Sequence, residues 1–347
     1  MLGSFNTKFL SRASGEEKQA PITVNVDCAN GIGAVSLKEL SGLVSEHLAI
    51  NLFNDDIKDP SKLNKDAGAE HVQKNRAFPQ GVDSAKDHGK RFASVDGDAD
   101  RLVYYYVGAS SDFQLLDGDK IIALTGAVIQ DLVSASKLNL NVGVVQTAYA
   151  NGASTDYITN TLKLKVSCVP TGVKYLHHEA AHFDVGIYFE ANGHGTILFK
   201  PSAIDLIQKA ANEGISSARK LLMLVKLINQ AVGDAISDLL LVEVCLKLKN
   251  WSLQDWNSLY TDLPSYQSKV PVKDRSLIKT TDAERRTTSP AGLQEALDAL
   301  VSTVSKGRAF VRPSGTEDVV RVYAEAATEE LVRKLGKDVE KLIHQYM

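Results

Sequence analysis

Cysteine is rare in this sequence, and its scarcity bears on both the fold and the compartment. The 347 residues include three cysteines, Cys28, Cys168 and Cys245, which are far apart and odd in number. A small fold stapled by disulfides needs an even, closely spaced set, so that class is excluded. Unpaired cysteines are typical of a reducing compartment, and we therefore expect a cytoplasmic protein without structural disulfides.

Long hydrophobic runs and an excess of charge are missing as well. No apolar run approaches the roughly 18 residues of a membrane-spanning helix. Lysine and arginine number 39 against 42 aspartates and glutamates, a net charge of −3, which gives no bulk attraction to nucleic acid or to a membrane surface. With 44% hydrophobic and 23% charged residues, the composition is that of an ordinary globular protein. We expect neither a nucleic-acid partner nor a membrane partner.

What the sequence does have is a run of alternating carboxylates, Asp96, Asp98 and Asp100, separated by a glycine and an alanine. Three carboxylates this close together repel one another unless a cation lies between them. The small spacers allow the backbone to turn tightly and to direct the carboxylates inward. Oxygen ligands of this kind suit a hard ion, Mg²⁺ first. Arg101 follows directly, and its planar fork can offset the remaining charge or grip a phosphate.

The acidic loop has three alternative interpretations. An EF-hand calcium loop is excluded, because its sixth and twelfth positions require Gly and Glu, where this sequence has Arg101 and Val107. A phosphatase of the haloacid dehalogenase type, with Asp96 as nucleophile, would need Thr or Val in place of Asp100. A solvated acidic turn stays open, although the apolar strand that follows the loop makes an uncompensated charge cluster costly.

A second loop, Glu190–Gly195, combines a carboxylate, an amide and an imidazole with two glycines. The vicinal hydroxyls of a sugar are bound well by a carboxylate that accepts two hydrogen bonds and by an amide partner. Glycines let the backbone approach such a ligand closely. The loop therefore indicates a sugar-binding site, and the alternative is a tight hairpin with a buried histidine.

A third loop, Arg312–Asp318, lies between two predicted strands near the end of the chain. Its consecutive Ser314, Gly315 and Thr316 can turn several backbone N–H groups and two hydroxyls toward one point, which favours an anion. Arg312 and Arg321 can add charge-assisted hydrogen bonds to a phosphate. The alternative is an ordinary β-hairpin turn with an incidental arginine.

Lys174 stands at the start of a predicted helix, directly after a Thr-Gly-Val segment. A lysine does not help the helix dipole there, so its placement indicates a functional cation, with a surface lysine as the alternative. We expect the same helix to contain His177, His178 and His182. No further ligand cluster is visible near these histidines, and we interpret them as packing or surface residues.

Strand and helix patterns alternate from residue 21 to about residue 260 and give way to an antiparallel pattern flanked by helices. Strands at Phe92–Val95 and Leu102–Val107 are expected around the acidic loop, and a long helix at about Ile204–Val232. The glycines of the turn Cys28–Ala34 are expected to serve its tight shape. These patterns predict a disordered lead-in, two consecutive α/β domains and a small α+β domain, at residues 1–20, 21–112, 113–260 and 261–347.

The three loops together resemble a known family. Asp96–Arg101, Glu190–Gly195 and Arg312–Asp318 are similar, in content and in order, to the metal, sugar and phosphate loops of the α-D-phosphohexomutases. Three further segments resemble the phosphoacetylglucosamine mutase branch of that family: Asp27–Gly31, Gln146–Gly152 and Thr171–Lys174.

The resemblance implies two consecutive α/β domains of the phosphohexomutase type, for metal and sugar, and an α+β phosphate domain. It implies an isomerase that interconverts N-acetylglucosamine 6-phosphate and 1-phosphate through a bisphosphate, using Mg²⁺ and an enzyme phosphoserine, on the route to UDP-N-acetylglucosamine. The implied Mg²⁺ ligands are Asp96, Asp98 and Asp100, and the implied catalytic residues are Arg101, Lys174 and His194. The implied substrate contacts are Glu190, Ala191 and Asn192 for the sugar, and Arg312, Pro313, Ser314, Gly315, Thr316 and Arg321 for its phosphate.

One departure from the family concerns its phosphoserine. The resemblance begins at about residue 20, where the family's second domain begins, and neither Ser14 nor Ser110 has the context of the phosphoserine loop. We therefore expect an N-terminally shortened mutase that keeps its binding loops but has low activity alone, since phosphoryl transfer depends on positioning the donor. The alternative is a non-catalytic protein that binds phosphosugars or associates with a complete mutase.

Overall fold

The structure is a computed structural model that describes residues 21–347. The expected lead-in, residues 1–20, lies outside the described residues. Fourteen strands are found in this range: β1 (Ile22–Asp27), β2 (Leu48–Phe53), β3 (Phe92–Val95), β4 (Leu102–Val107), β5 (Phe113–Leu116), β6 (Val142–Thr147), β7 (Lys165–Val169), β8 (Val185–Phe189), β9 (Gly195–Phe199), β10 (Ser265–Pro271), β11 (Lys279–Thr281), β12 (Arg286–Ser289), β13 (Arg308–Pro313) and β14 (Val319–Glu325).

Eleven α-helices lie between these strands within the described range. None of them combines the length and the apolar composition that a membrane crossing requires. They are α1 (Gly33–Val44), α2 (Ala69–Asn75), α3 (Gly118–Ser136), α4 (Gly152–Asp156), α5 (Val173–Ala180), α6 (Pro201–Asn212), α7 (Ser216–Leu227), α8 (Ala235–Lys249), α9 (Leu253–Asn257), α10 (Leu293–Ser302) and α11 (Glu329–Tyr346).

The chain divides into two compact units that interleave along the sequence. The first unit runs to Val144 and resumes with Ala180–Leu259, and the second consists of Val145–Glu179 and Tyr260–Met347. The mixed α/β fold class is confirmed. The domain boundaries expected from the sequence differ from the limits of these two units. Those expected boundaries stay a prediction.

The first unit contains a five-stranded sheet in the order β2-β1-β3-β4-β5. Strand β1 pairs in parallel with β2 and β3, whereas β3, β4 and β5 pair antiparallel. Because β1 and β3 are parallel, the turn after β1 and the acidic loop after β3 meet at the same edge of the sheet. All six residues of β4 are buried, which explains why this strand reads as a continuous apolar run.

The second unit contains a three-stranded antiparallel sheet in the order β10-β14-β13. One face carries alternating apolar residues, among them Val270, Val311 and Val322, which pack with Leu297 and Leu335 of α10 and α11. Since side chains alternate between the faces of a strand, the residues between these apolar positions lie on the other face. The small α+β arrangement expected for the end of the chain is thereby found.

The structure corrects three local expectations. The single helix expected at about Ile204–Val232 is wrong, because α6 and α7 are separate helices. The break comes at Gly214, whose φ of +95° is a left-handed conformation that ends a helix and that glycine adopts without steric cost. The helix expected to contain His182 ends at Ala180. Strand β5 and the β11–β12 hairpin were not anticipated, because both are short.

Asp238 is a buried carboxyl in the first turn of α8. Its side chain is fully buried, and within residues 21–347 neither carboxylate oxygen has a hydrogen-bond partner. Burial, together with the nearby Asp234, raises the pKa of Asp238 well above its usual value. A raised pKa in the folded state favours the fold at low pH, and that contribution is lost as the pH rises from the unfolded-state pKa to the folded-state pKa.

We expect Asp238→Asn to become more stable than the wild type as the pH increases. The difference in unfolding free energy should grow between pH 5 and pH 8 by up to about 1.4 kcal/mol per pH unit, the limit for one titrating group. Melting temperatures across this range measure it, with the exposed Asp205→Asn as a control for the loss of one charge. A difference between Asp238→Asn and wild type that does not vary with pH would contradict the expectation.

Candidate functional site

The acidic loop brings its three carboxylates together. Asp96, Asp98 and Asp100 each offer an oxygen, and these oxygens lie within 4.8 Å of one another. The loop is closed by Asp96, whose Oδ1 accepts the backbone N–H groups of Asp100 and Arg101, both at 3.1 Å. Ala99 adopts a left-handed conformation with φ of +60°, which costs about 1–2 kcal/mol in a residue that has a Cβ atom. The spacing seen in the sequence therefore produces a convergent set of oxygen ligands.

The charge of this cluster is only partly compensated by its neighbours. Burial, and next the charge of Asp100, raise the pKa of Asp96 to about 7. Arg101 Nε lies 3.5 Å from Asp96 Oδ2 and 3.6 Å from Asp100 Oδ1, while its Nη1 donates to Glu70 Oε2 at 3.0 Å. Asp100 Oδ1 is buried and has no hydrogen-bond partner among the described residues. An all-oxygen donor set with residual negative charge fits Mg²⁺.

The turn after β1 packs directly against the backbone of the acidic loop. A Cβ atom on Gly31 would lie 2.3 Å from the carbonyl oxygen of Gly97, so no larger residue fits at that position. The neighbouring Ile32 N–H donates to the same carbonyl at 3.0 Å. These glycine contacts agree with the expectation that the turn serves shape rather than anion binding.

Asp27 is a structural residue of this edge that the sequence reasoning missed. Its buried carboxylate accepts hydrogen bonds from Ala29 N, Gly68 N, Asn54 Nδ2 and Ser94 Oγ, at 2.7 to 3.0 Å. Burial raises the pKa of Asp27, although these four donors act against the shift. The carboxylate thus joins four separate segments near the base of the acidic loop. Its position at the end of a strand gave no signal of these distant partners.

The predicted sugar loop is joined directly to the acidic loop in the first unit. Leu102 N–H donates to the carbonyl of Gly193 at 3.2 Å, and a Cβ on Gly193 would lie 1.8 Å from the carbonyl oxygen of Leu102. His194 Nδ1 lies 3.1 Å from Asp100 Oδ2. Its Nε2 faces Gly233, where a Cβ would approach to 2.6 Å. The imidazole of His194 therefore lies between a carboxylate of the acidic loop and the backbone of a glycine.

The side chains of the sugar loop remain partly accessible. Glu190, Ala191 and Asn192 are each half-buried. The loop is closed by its own hydrogen bonds, from Glu190 N–H to the carbonyl of His194 at 2.9 Å and from His194 N–H to Asn192 Oδ1 at 3.0 Å. A pre-formed loop with an accessible carboxylate and amide can bind sugar hydroxyls without first becoming ordered.

The predicted phosphate loop connects β13 and β14 in the second unit. Ser314 is buried, and its N–H donates to the carbonyl of Val319 at 3.0 Å. Its Oγ accepts long hydrogen bonds, of 3.4 and 3.5 Å, from Glu317 N and Thr316 N. A Cβ on Gly315 would have no neighbour within 4 Å among residues 21–347. Arg312 and Arg321 are directly opposite one another on the paired strands. Two guanidinium groups and an accessible loop backbone therefore share one end of the sheet.

Arg312 is held by two residues that the sequence reasoning did not single out. Its Nε donates to the hydroxyl of Tyr149 at 3.0 Å, and its guanidinium lies 5.3 Å from the centre of that ring. Its Nη1 is 3.6 Å from Glu284 Oε1. The other oxygen of Glu284 accepts from Thr171 N at 2.9 Å and from Thr171 Oγ1 at 2.6 Å. Tyr149 and Glu284 thus orient the guanidinium from one side.

Lys174 belongs to the same second unit as the phosphate loop. It is exposed near the start of α5, and its Nζ lies 4.8 Å above the ring of Tyr175. Thr171, three residues earlier, is the residue bound by Glu284. The chain segment that carries Lys174 is therefore tied to the Arg312 side of the sheet, while Arg101 and His194 belong to the first unit.

Three family models match most of this chain. Residues 1–103 match the model described as phosphoacetylglucosamine mutase AMG1, domain II, and residues 117–251 match domain III of the same protein. Residues 269–342 match the model described as phosphoglucomutase/phosphomannomutase, C-terminal domain.

Individual proteins that resemble the chain are mutases of the same kind. Phosphoacetylglucosamine mutases of Homo sapiens and Mus musculus are 49% and 48% identical over 336 residues, 96% of this chain and 61% of each relative. The chain thus spans about three fifths of the curated relatives it matches. A crystal structure of Aspergillus fumigatus N-acetylphosphoglucosamine mutase in complex with GlcNAc-6P and magnesium is 45% identical, with a TM-score of 0.91, covering 98% of this chain and 69% of that one.

We expect Tyr149→Phe to weaken the binding of inorganic phosphate to the second unit. The variant keeps the ring but removes the acceptor of Arg312 Nε, so the guanidinium loses one constraint. A loss of about 3- to 10-fold is expected, near 1 kcal/mol for one hydrogen bond. Isothermal titration calorimetry measures it, with Tyr346→Phe as the control, because that hydroxyl binds Gly292 instead. Equal losses in both variants would show that Tyr149 has no particular role.

Proposed function

Because this chain belongs to the phosphoacetylglucosamine mutase family, we propose that it carries the metal, sugar and phosphate sites of a phosphoacetylglucosamine mutase. The reaction is the interconversion of N-acetylglucosamine 6-phosphate and N-acetylglucosamine 1-phosphate, an isomerase step toward UDP-N-acetylglucosamine. The observation that carries the proposal is the convergence of Asp96, Asp98 and Asp100 beside Arg101. The matched proteins named above are mutases, so non-catalytic binding is not favoured.

Asp96, Asp98 and Asp100 would hold Mg²⁺ in this proposal. A bound Mg²⁺ neutralises charge that develops on a transferring phosphoryl group. Arg101 lies within 3.6 Å of two of these carboxylates, so its planar fork is placed to bind the same phosphoryl group from the protein side. Its hydrogen bond to Glu70 limits the orientations that the guanidinium can adopt.

His194 is assigned a positioning role within this site. The family resemblance implied a catalytic role for this residue. With Nδ1 beside Asp100 and Nε2 packed against Gly233, the imidazole is better placed to orient the Asp100 carboxylate. A hydrogen bond from a histidine to a carboxylate that holds a metal fixes the direction of that carboxylate. Lys174 keeps its proposed catalytic role as a functional cation.

Glu190, Ala191 and Asn192 would bind the sugar hydroxyls. Arg312, Ser314, Gly315, Thr316 and Arg321 would bind the phosphate that does not react, with Pro313 holding the backbone of the loop. The proposal includes substrate binding in two orientations, with either the 6-phosphate or the 1-phosphate at this phosphate loop. We also propose a cytoplasmic location, which the three free cysteines support.

The proposal predicts that Glu190→Ala weakens the binding of both phosphosugar isomers. The carboxylate would contact ring hydroxyls that both isomers share, so each dissociation constant should rise about 10-fold or more, as for a lost charged hydrogen bond. Calorimetry with each isomer measures this, with the exposed Glu213→Ala as the control. Loss of affinity for one isomer alone would contradict the two-orientation scheme, and unchanged affinity for both would contradict the sugar-binding role.

A further inference from the structure

Three basic side chains form a row across the sheet of the second unit. The strand register places Lys269 of β10 opposite Arg321 of β14, and Arg321 opposite Arg312 of β13. Directly opposite residues of antiparallel strands share one face, and like charges in such positions destabilise the pairing. This cation row, Lys269, Arg321 and Arg312, is therefore stabilised by a nearby anion. Lys269 was not among the residues that the sequence indicated.

An internal anion already lies on the cation row. Both carboxylate oxygens of Glu317 lie within hydrogen-bond distance of Lys269 Nζ, at 2.8 and 3.0 Å. One of them is also 3.5 Å from Arg321 Nη2. The hydrogen bond from Lys269 holds the pKa of Glu317 below its usual range, so the carboxylate is charged at neutral pH. Glu317 is about half exposed and can turn to solvent at little cost.

Glu317 accepts hydrogen bonds from Lys269 but compensates the charge of the two arginines of the cation row only weakly. Arg321 Nε is buried, and no described residue accepts a hydrogen bond from it. The contact from Arg321 Nη2 to Glu317 Oε2 is long, at 3.5 Å, and Arg312 Nη1 lies 3.6 Å from Glu284 Oε1. A buried donor without an acceptor is unfavourable. A ligand with several acceptor oxygens would satisfy these donors better than one carboxylate does.

We propose that Lys269 is a third phosphate-binding cation and that Glu317 is an internal competitor, which occupies the cation row until a phosphate group displaces it. The inference rests on the proposed phosphate site. It adds Lys269 as a residue that binds the phosphate and Glu317 as a residue that opposes its binding. A phosphate brings up to two negative charges and free acceptor oxygens, so it compensates the row more completely than the single charge of Glu317. Released from Lys269 and Arg321, the Glu317 side chain faces solvent.

The two partners of this ion pair should therefore act in opposite directions. If the ion pair merely stabilised the hairpin, removing either partner would change the affinity for phosphate in the same direction. If Lys269 binds the ligand and Glu317 competes with it, Lys269→Met weakens binding whereas Glu317→Gln strengthens it. The sign of the second effect separates the two interpretations.

The test is calorimetric titration of the full chain with inorganic phosphate at low ionic strength. We expect Lys269→Met to raise the dissociation constant about 3- to 10-fold and Glu317→Gln to lower it about 2- to 5-fold, the range for partly exposed charges. Lys341→Met and Asp338→Asn remove a matched ion pair of 2.9 Å on α11 and should change nothing. Circular dichroism of each variant verifies its fold.

Two results would overturn the inference. If phosphate binds the wild type and both Lys269→Met and Glu317→Gln weaken binding, or neither changes it, the pair is structural and the proposed phosphate site stands without it. If folded wild-type protein binds no phosphate at millimolar concentration, the proposed phosphate site fails as well.

Discussion

Repulsion among three carboxylates is the constraint around which the first unit is organised. Asp96, Asp98 and Asp100 hold oxygens within 4.8 Å of one another, and the fold brings backbone N–H groups, Arg101 and His194 against this charge. The pKa of Asp96 is nevertheless raised to about 7, so these groups do not compensate fully. The proposed Mg²⁺ would supply the missing positive charge. The sugar loop is held to the same place, because Leu102 and Gly193 are joined through the backbone.

The second unit presents the opposite electrostatic problem. The cation row concentrates positive charge on one face of a small sheet whose other face is apolar and packed against two helices. Carboxylates at its two ends, Glu317 and Glu284, compensate it incompletely. Each unit thus holds like charges close together, and each proposed ligand carries the charge that the side chains lack. Binding sites of this kind lower the stability of the unliganded protein, and binding of the ligand restores that stability.

The parts of the fold and site that could be predicted from the sequence are those that depend on local patterns. Phe92–Val95 and Leu102–Val107 are strands at the residues expected, because their apolar runs are bounded by a loop of charged and small residues. Asp27, Tyr149 and Glu284 could not be found in this way. Their partners lie 41 residues away for the Asp27–Gly68 bond, 163 for Tyr149–Arg312 and 113 for Glu284–Thr171, and only the folded chain brings such residues together.

The central claim, that the acidic loop is a site for a divalent cation, is tested most directly by anomalous diffraction from crystals soaked in Mn²⁺, which takes the same oxygen ligands as Mg²⁺. We predict one anomalous peak coordinated by Asp96, Asp98 and Asp100, and no such peak in Asp98→Asn at the same Mn²⁺ concentration. A peak elsewhere with none at these carboxylates, or an undiminished peak in Asp98→Asn, would contradict the account.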